Sequence, residues 1–306
     1  MVKNSAFVFI KPHAVTDKTI ALVKSELEAK NFTIKKEGSL GAAEIDEKKL
    51  IDQHYYAIAS KATLLKPDQL NVPADKFEAK FGIPWKDALA QGKVFNALDG
   101  CKELGITADQ LDAKWGAAKK ADKLIKFGGG FYCGDVEGKF IFNGFFMSMR
   151  SKFVAPGTSI YYFVVEWESK TMAWEAFRGE FLGPTDPEQA PKESLRGQIL
   201  ANWEALGLQA KPNTGDNGVH ASASPFEALA ERLNWLGCSL AEDDFGKALL
   251  EAGIPKETIE AWSVDPQVTY GAPSMPIKAS LFDTLEDTDS DHCAAKCMMV
   301  HLTAKK

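Results

Sequence analysis

SIYYFVVEW, residues 159–167, is β-branched and aromatic with a single charge at Glu166. Such a run predicts a strand buried on both faces and therefore central in its sheet. Working outward, a Pro156-Gly157 turn precedes it, and FFMSMRSKF before the turn reads as a short helix. SKTMAWEAFRGEFLG after it resumes a helical pattern. Near the N-terminus AFVFIK (6–11) alternates as a second strand that Pro12 ends. Thr16 or Asp17 can cap the helix TIALVKSELEAKN, with Ile20, Val23 and Leu27 on one face. FTIKKEGSLGAAEI returns to extended patterning. DEKKLIDQHYYAIASKA then sets Leu50, Ile51, His54, Tyr55 and Ile58 at helical spacing, with Asp46 as N-cap. Late in the chain VHASAS is a short strand. Ser224 caps and Pro225 opens the helix PFEALAERLNWL, which Gly237 ends. This order predicts an α+β sandwich, a small antiparallel or mixed sheet with helices on one side, rather than a doubly wound sheet.

Between these elements the character changes. Residues 63–143 carry helical pieces (DKFEAKFGI, WKDALAQGKVFNALDGCKELG, TADQLDAKWGAAKKADKLIKF) and then FGGGFYCGDVEGKFIFNG, a hairpin turning at Asp135-Val136-Glu137-Gly138. GITADQLDAKWG lacks the alternating Asp ligands and terminal Glu of a calcium loop. The expected organisation is a core over 1–237, interrupted by an insertion at 63–143, and a C-terminal extension over 238–306. The extension reads as a helical pair, a Pro-rich loop and the acidic segment DTLEDTDSDH.

With 306 residues and 45% hydrophobic content the chain can bury a substantial core. Its formal charge of −6 argues against a protein that holds nucleic acid through its phosphates. No segment approaches the roughly 18 apolar residues of a membrane span, and no signal-peptide core is visible. Five scattered cysteines fit reduced thiols, hence a soluble, cytoplasmic setting. HCAAKC (292–297) lacks zinc-site spacing and reads as exposed helix thiols.

NGVHASAS (217–224) carries the chemistry. His220 stands at a strand end, after a polar loop and ahead of a helix, where one ring nitrogen can face a pocket. Glu231 lies in that helix. A carboxylate on the far ring nitrogen fixes the tautomer and raises nucleophilicity. Taken alone, such a histidine is more commonly structural or exposed.

Four segments in order change that reading: FVFIKPHAV, QHYYAI, LGPTDPEQAP with SLRG, and NGVHASAS. Together they resemble the signature segments of nucleoside diphosphate kinases: the strand ending I-K-P-D, the H-Y helix, G-x-T-N-P with R-G, and N-x-x-H-G-S-D-S. The resemblance covers residues 5–61 and 144–236. It implies a ferredoxin-like βαββαβ core, with a mainly helical insertion plus hairpin and a helical C-terminal extension added. It further implies transfer of a γ-phosphate between nucleoside tri- and diphosphates through a phosphohistidine at His220. Mg²⁺ would ride on the nucleotide phosphates, with no ligand from protein side chains. Carried over by position, Lys11 and Arg196 meet phosphate oxygens, Thr185 donates its hydroxyl to the β-phosphate, and Tyr55 bonds near the transferring group. Asn217 takes the ribose hydroxyl, and Glu231 orients His220. Phe145 or Phe146 stacks on the base, with Met149 beside it, although both rings also suit a core. Arg178 is the second guanidinium, in a segment one residue longer than the family's spacing. Lysine, two guanidiniums and a hydroxyl are what a phosphoryl transition state needs.

The sequence also departs from that pattern. Ala221 and Ala223 replace the family's Gly and Asp, and the link from Arg196 to Asn217 is longer, extending the helix GQILANWEALGL. The insertion and extension leave open a homo-oligomer or an assembly partner. The alternative to an active kinase is therefore a scaffold or regulatory member, as in a flagellum or cilium.

Overall fold

The computed structural model describes residues 3–128, 130–272 and 274–304. It is a mixed α+β protein with two compact units, 1–44 with 157–306, and 45–156.

In the first unit β1 (Asn4–Ile10), β2 (Thr33–Gly41), β3 (Ser159–Trp167) and β4 (Val219–Ala221) form one sheet in the order β2-β3-β1-β4. Every neighbouring pair is antiparallel. SIYYFVVEW is thus central, as its composition requires. Strand alternation sends Ala6, Val8 and Ile10 to one face, where they join Val219 and Ala221 of β4 and meet Val23 and Leu27 of α1 (Asp17–Ala29). Thr16 caps α1 by accepting the Thr19 N–H at 3.1 Å.

The opposite face is not left to solvent, contrary to the expectation of helices on one side. It carries Phe7 and Phe9, whose rings lie 6.3 and 5.5 Å from Trp235 of α2 (Pro225–Leu236). Two phenylalanines on an open face would forgo about 1.5–3 kcal/mol each, so the sequence needs this cover. The helix expected over GQILANWEALGL stops at Ala201, and residues 202–207 continue as turns.

Residues 238–304 pack into the first unit around α2. Phe226 and Leu229 share a core with Leu249, Ile259, Leu281 and Val300. Besides helices Asp244–Glu251 and Lys256–Trp262, this segment holds a hairpin, Gln267–Tyr270 with Ile277–Ser280, that short polar strands did not announce. It closes with α3 (Ser290–Thr303). Cys293 and Cys297, expected to be exposed, are buried in the core one helical turn apart.

The second unit runs from 45 to 156, wider than the 63–143 stretch. Arg150 explains the difference: its Nε bonds both oxygens of buried Asp52 at 2.9 and 3.0 Å and a terminal nitrogen bonds Asp46 at 2.5 Å. Asp46 is therefore an ion-pair partner rather than an N-cap. Lys49 at φ 56° interrupts the helix, which begins at Leu50 and breaks again at Tyr55. The expected hairpin is present, Phe131–Val136 with Lys139–Phe142, inside a four-stranded sheet. The other two strands, Val94–Asn96 and Leu124–Gly128, lie in stretches that read as helical. Among the described residues no helix is long and apolar enough to cross a membrane.

Candidate active site

β4 pairs with β1 so that His220 stands directly across from Phe9, and the two rings stack at 4.7 Å. Val219 and Ala221 point into the core, which turns His220 to the face covered by α2. The start of α2 is fixed by Ser224, whose hydroxyl accepts the Glu227 N–H at 3.1 Å, and by Pro225 in the first turn. Two turns on, buried Glu231 meets His220: Oε1 lies 2.5 Å from Nε2. Its second oxygen accepts the Ser222 hydroxyl at 2.5 Å, and that hydroxyl in turn accepts the Phe7 N–H at 3.0 Å. Backbone, serine, glutamate and histidine thus form one chain that fixes the ring's orientation. The His220 side chain remains 16% exposed and lines a cleft of about 500 Å³ with Arg178, Thr185, Arg196 and Glu227. Burial, followed by the charges of Lys11, Arg196 and Arg178, holds His220 well below the usual histidine value of 6.5. The imidazole is neutral at neutral pH, the form that has a lone pair.

Arg196 faces this cleft, yet it is also a brace. Its Nε and one terminal nitrogen donate to the Val219 carbonyl at 3.2 and 2.9 Å, and the other donates to Gly183 at 2.7 Å. It thereby ties the Gly183–Thr185 loop to the histidine strand. The adjoining Gly197 has no alternative, because a Cβ there would lie 2.0 Å from the Pro191 carbonyl oxygen. Thr185 lines the cleft, and its own carbonyl accepts from Asn217 Nδ2 at 3.0 Å. Asn217 is 1% exposed, and the described residues supply no donor to its Oδ1. Lys11 donates to the Gly215 carbonyl at 3.1 Å and its backbone N–H bonds Gly218 at 2.8 Å, so the loop before β4 is held from β1. His13 assists by accepting the Gly218 N–H at 3.1 Å.

Arg178 lines the cleft from the irregular helix Phe177–Leu182. One of its terminal nitrogens donates to Glu286 at 2.6 Å and to Asp287 at 2.7 Å. Tyr55, Phe145 and Phe146 belong to the second unit. Tyr55 packs half-buried against its core, edge-on to His54 at 4.5 Å. Phe146 is 1% exposed and enclosed in that core, so it has no face to offer a base. Phe145 keeps exposed area between Trp115 and Tyr132, with ring centroids 6.0 and 5.7 Å away.

Three features of the site are not announced by the sequence. Ser222 lies two residues after His220, hence on the same side of the strand. Glu227 lies one helical turn before Glu231; burial, the Glu231 charge and the Glu286 charge push it up to about 8. Spacing alone could have found both. Glu286 and Asp287 lie more than a hundred residues from Arg178, and no local signal connects them.

No family model matches the chain, and no curated protein matches it. Among solved structures it is similar to the apo nucleoside diphosphate kinase of Encephalitozoon cuniculi, at 14% identity and a TM-score of 0.38, over 76% of this chain and 89% of that one. It is similar as well to an NDP kinase from Pyrobaculum aerophilum, at 19% identity and a TM-score of 0.38, over 76% and 95%.

Proposed function

We propose that this chain is a phosphotransferase of the nucleoside diphosphate kinase type, built on a ferredoxin-like core and working through a phosphohistidine at His220. The observation that carries the reading is the Ser222–Glu231–His220 chain opening onto a cleft with Arg178, Arg196 and Thr185. With the Nε2 proton shared with Glu231, the ring's lone pair is on Nδ1. That nitrogen attacks the γ-phosphorus of a nucleoside triphosphate. An N–P bond forms while the bond to the β,γ-bridging oxygen breaks, and its electron pair leaves on the nucleoside diphosphate. Glu231 balances the positive charge that grows on the ring. In the return step a terminal oxygen of a second nucleoside diphosphate attacks the phosphorus, and the N–P electrons return to Nδ1. Arg178, Arg196 and Lys11 neutralise charge spread over the phosphoryl oxygens. Asn217, with its unmatched buried oxygen, is the candidate for a sugar hydroxyl once the loop before β4 shifts. Magnesium would be carried in on the substrate's phosphates, where it would supply further positive charge. The oxygen-rich lining of Glu175 and Thr185 suits its preference for oxygen, and no side chain is assigned to it.

A second reading, a scaffold or regulatory protein that binds nucleotide without turnover, is favoured by one feature: Arg178 is held by two acids and Arg196 by backbone carbonyls. One experiment separates the two. Purified protein is incubated with γ-labelled ATP and magnesium, and an acid-labile, base-stable phosphoprotein is sought and challenged with GDP. The enzyme reading expects labelling that GDP discharges and that His220→Gln abolishes. Unlabelled wild type, or equal labelling of His220→Gln, would overturn the phosphohistidine; labelling without discharge favours the regulatory reading.

A further inference from the structure

Arg178 is the cleft cation whose visible partners are acidic side chains rather than backbone. Glu286 Oε1 and Asp287 Oδ1 share one of its terminal nitrogens at 2.6 and 2.7 Å. The segment that brings them is fastened to the site itself. The Asp287 N–H donates at 3.0 Å to the carbonyl of Ala223, three residues after His220, and Asp287 adopts φ 56° to do so. Just beyond, Asp289 accepts from Asn4 Nδ2 at 2.6 Å and from the Trp174 N–H at 2.9 Å, anchoring the far end in β1 and beside Arg178's own helix. Both acids line the same cleft as His220.

A guanidinium that meets two carboxylates in the cleft lined by His220 has its charge answered as a phosphate would answer it. We propose that Glu286 and Asp287 are an internal anionic plug, competing with the phosphates of an incoming nucleotide for Arg178. The inference rests on the reading of this cleft as a phosphoryl-transfer site and adds its regulation. Exposure makes the exchange feasible: the side chains of Arg178, Glu286 and Asp287 are 28, 43 and 41% exposed, so the pairs can part without opening the core. Partly exposed ion pairs are individually weak, whereas a polyphosphate brings several charges at once. The anchors at Ala223 and Asp289 keep the acids at high local concentration, so the plug raises the threshold for loading without closing the site. Glu227, a third carboxyl on this wall, is pushed up chiefly by burial and the Glu231 charge, to which the Glu286 charge adds.

The test compares wild type with Glu286→Gln/Asp287→Asn, and that double variant with Arg178→Ala added. Binding of inorganic tripolyphosphate is measured by calorimetry, and phosphohistidine labelling in parallel. The double variant is expected to bind tripolyphosphate about ten-fold more tightly, a gain that Arg178→Ala removes, and to label at lower ATP. If the acids only dock the C-terminal segment, the double variant melts earlier and binds no more tightly, which overturns the plug. Glu286→Gln alone, a milder change, serves if the double variant does not fold, with the same expected sign. The two readings fail separately. Tighter binding with no labelling in any variant removes the phosphohistidine and leaves the plug; labelled wild type with unchanged affinity removes the plug and leaves the phosphohistidine.

Discussion

At the scale of single residues, the candidate site depends on which protons are present. Burial and the charges of Lys11, Arg196 and Arg178 lower the His220 value, so protonation disarms it only well below pH 6.5. Phosphorylation should rise with pH through that lowered value and be level around pH 7. An initial-rate labelling profile with its midpoint at or above 6.5 would contradict this. Glu227 behaves in the opposite sense. Burial first, then Glu231, raises it to about 8, so at neutral pH it is an uncharged acid in the cleft proposed to take the phosphates. As pH rises through about 8 it ionises and repels the nucleotide, and labelling should decline. Glu227→Gln should remove the decline and leave the acid side unchanged. The same shift affects folding. An unfolded glutamate titrates near 4.5 while the native one keeps its proton to about 8, so this group's contribution is fullest below 4.5 and is lost as pH rises to 8. Denaturant melts at pH 5, 7 and 9 should show a shallower fall in Glu227→Gln than in wild type.

At the scale of elements, β4 and α2 do most of the placing, and both were legible. VHASAS alternates, Ser224-Pro225 starts a helix and Gly237 stops one, and each appears where those residues put it. Ser224→Ala should cost about 1 kcal/mol in denaturant unfolding by leaving the Glu227 N–H without its hydroxyl, and Ser224→Gly only a few tenths. A loss several times larger in the alanine variant would mean that the serine does more than cap. What the sequence withheld followed a pattern. Val94–Asn96 and Leu124–Gly128 became strands because tertiary pairing outweighed helical spacing. The helix after Asp46 breaks at Lys49, whose φ is 56°, and the pairing of Asp46 and Asp52 with Arg150, about a hundred residues away, has no local signal. The role of Arg196 was half visible: R-G in SLRG marked a cation, but only packing shows that it also clamps Val219 to Gly183. Phe146 likewise looked as suited to stacking as to a core until its burial was known.

At the scale of the whole molecule, the first unit is a sheet interrupted between two neighbouring strands. Gly41 pairs with Ser159, and the Ala42 N–H bonds the Thr158 carbonyl at 2.9 Å, so the ends that flank the second unit meet as the ends of a hairpin would. Replacing residues 45–156 with a short Asn-Gly turn should therefore leave a sheet that melts cooperatively in circular dichroism. A non-cooperative melt would show that the first unit depends on the second.

The same interruption sets a schedule for synthesis. Among the described residues β3 is the only strand that neighbours β2, and β1 and β2 do not touch each other in the order β2-β3-β1-β4. Nothing in this sheet can pair until residue 159 leaves the ribosome, and at roughly 5–20 residues per second that is on the order of ten seconds after β2 emerges. The later unit in the chain's architecture is thus the earlier one in time: 45–156 is complete and free to fold while β1 and β2 still wait, unpaired, for their shared partner.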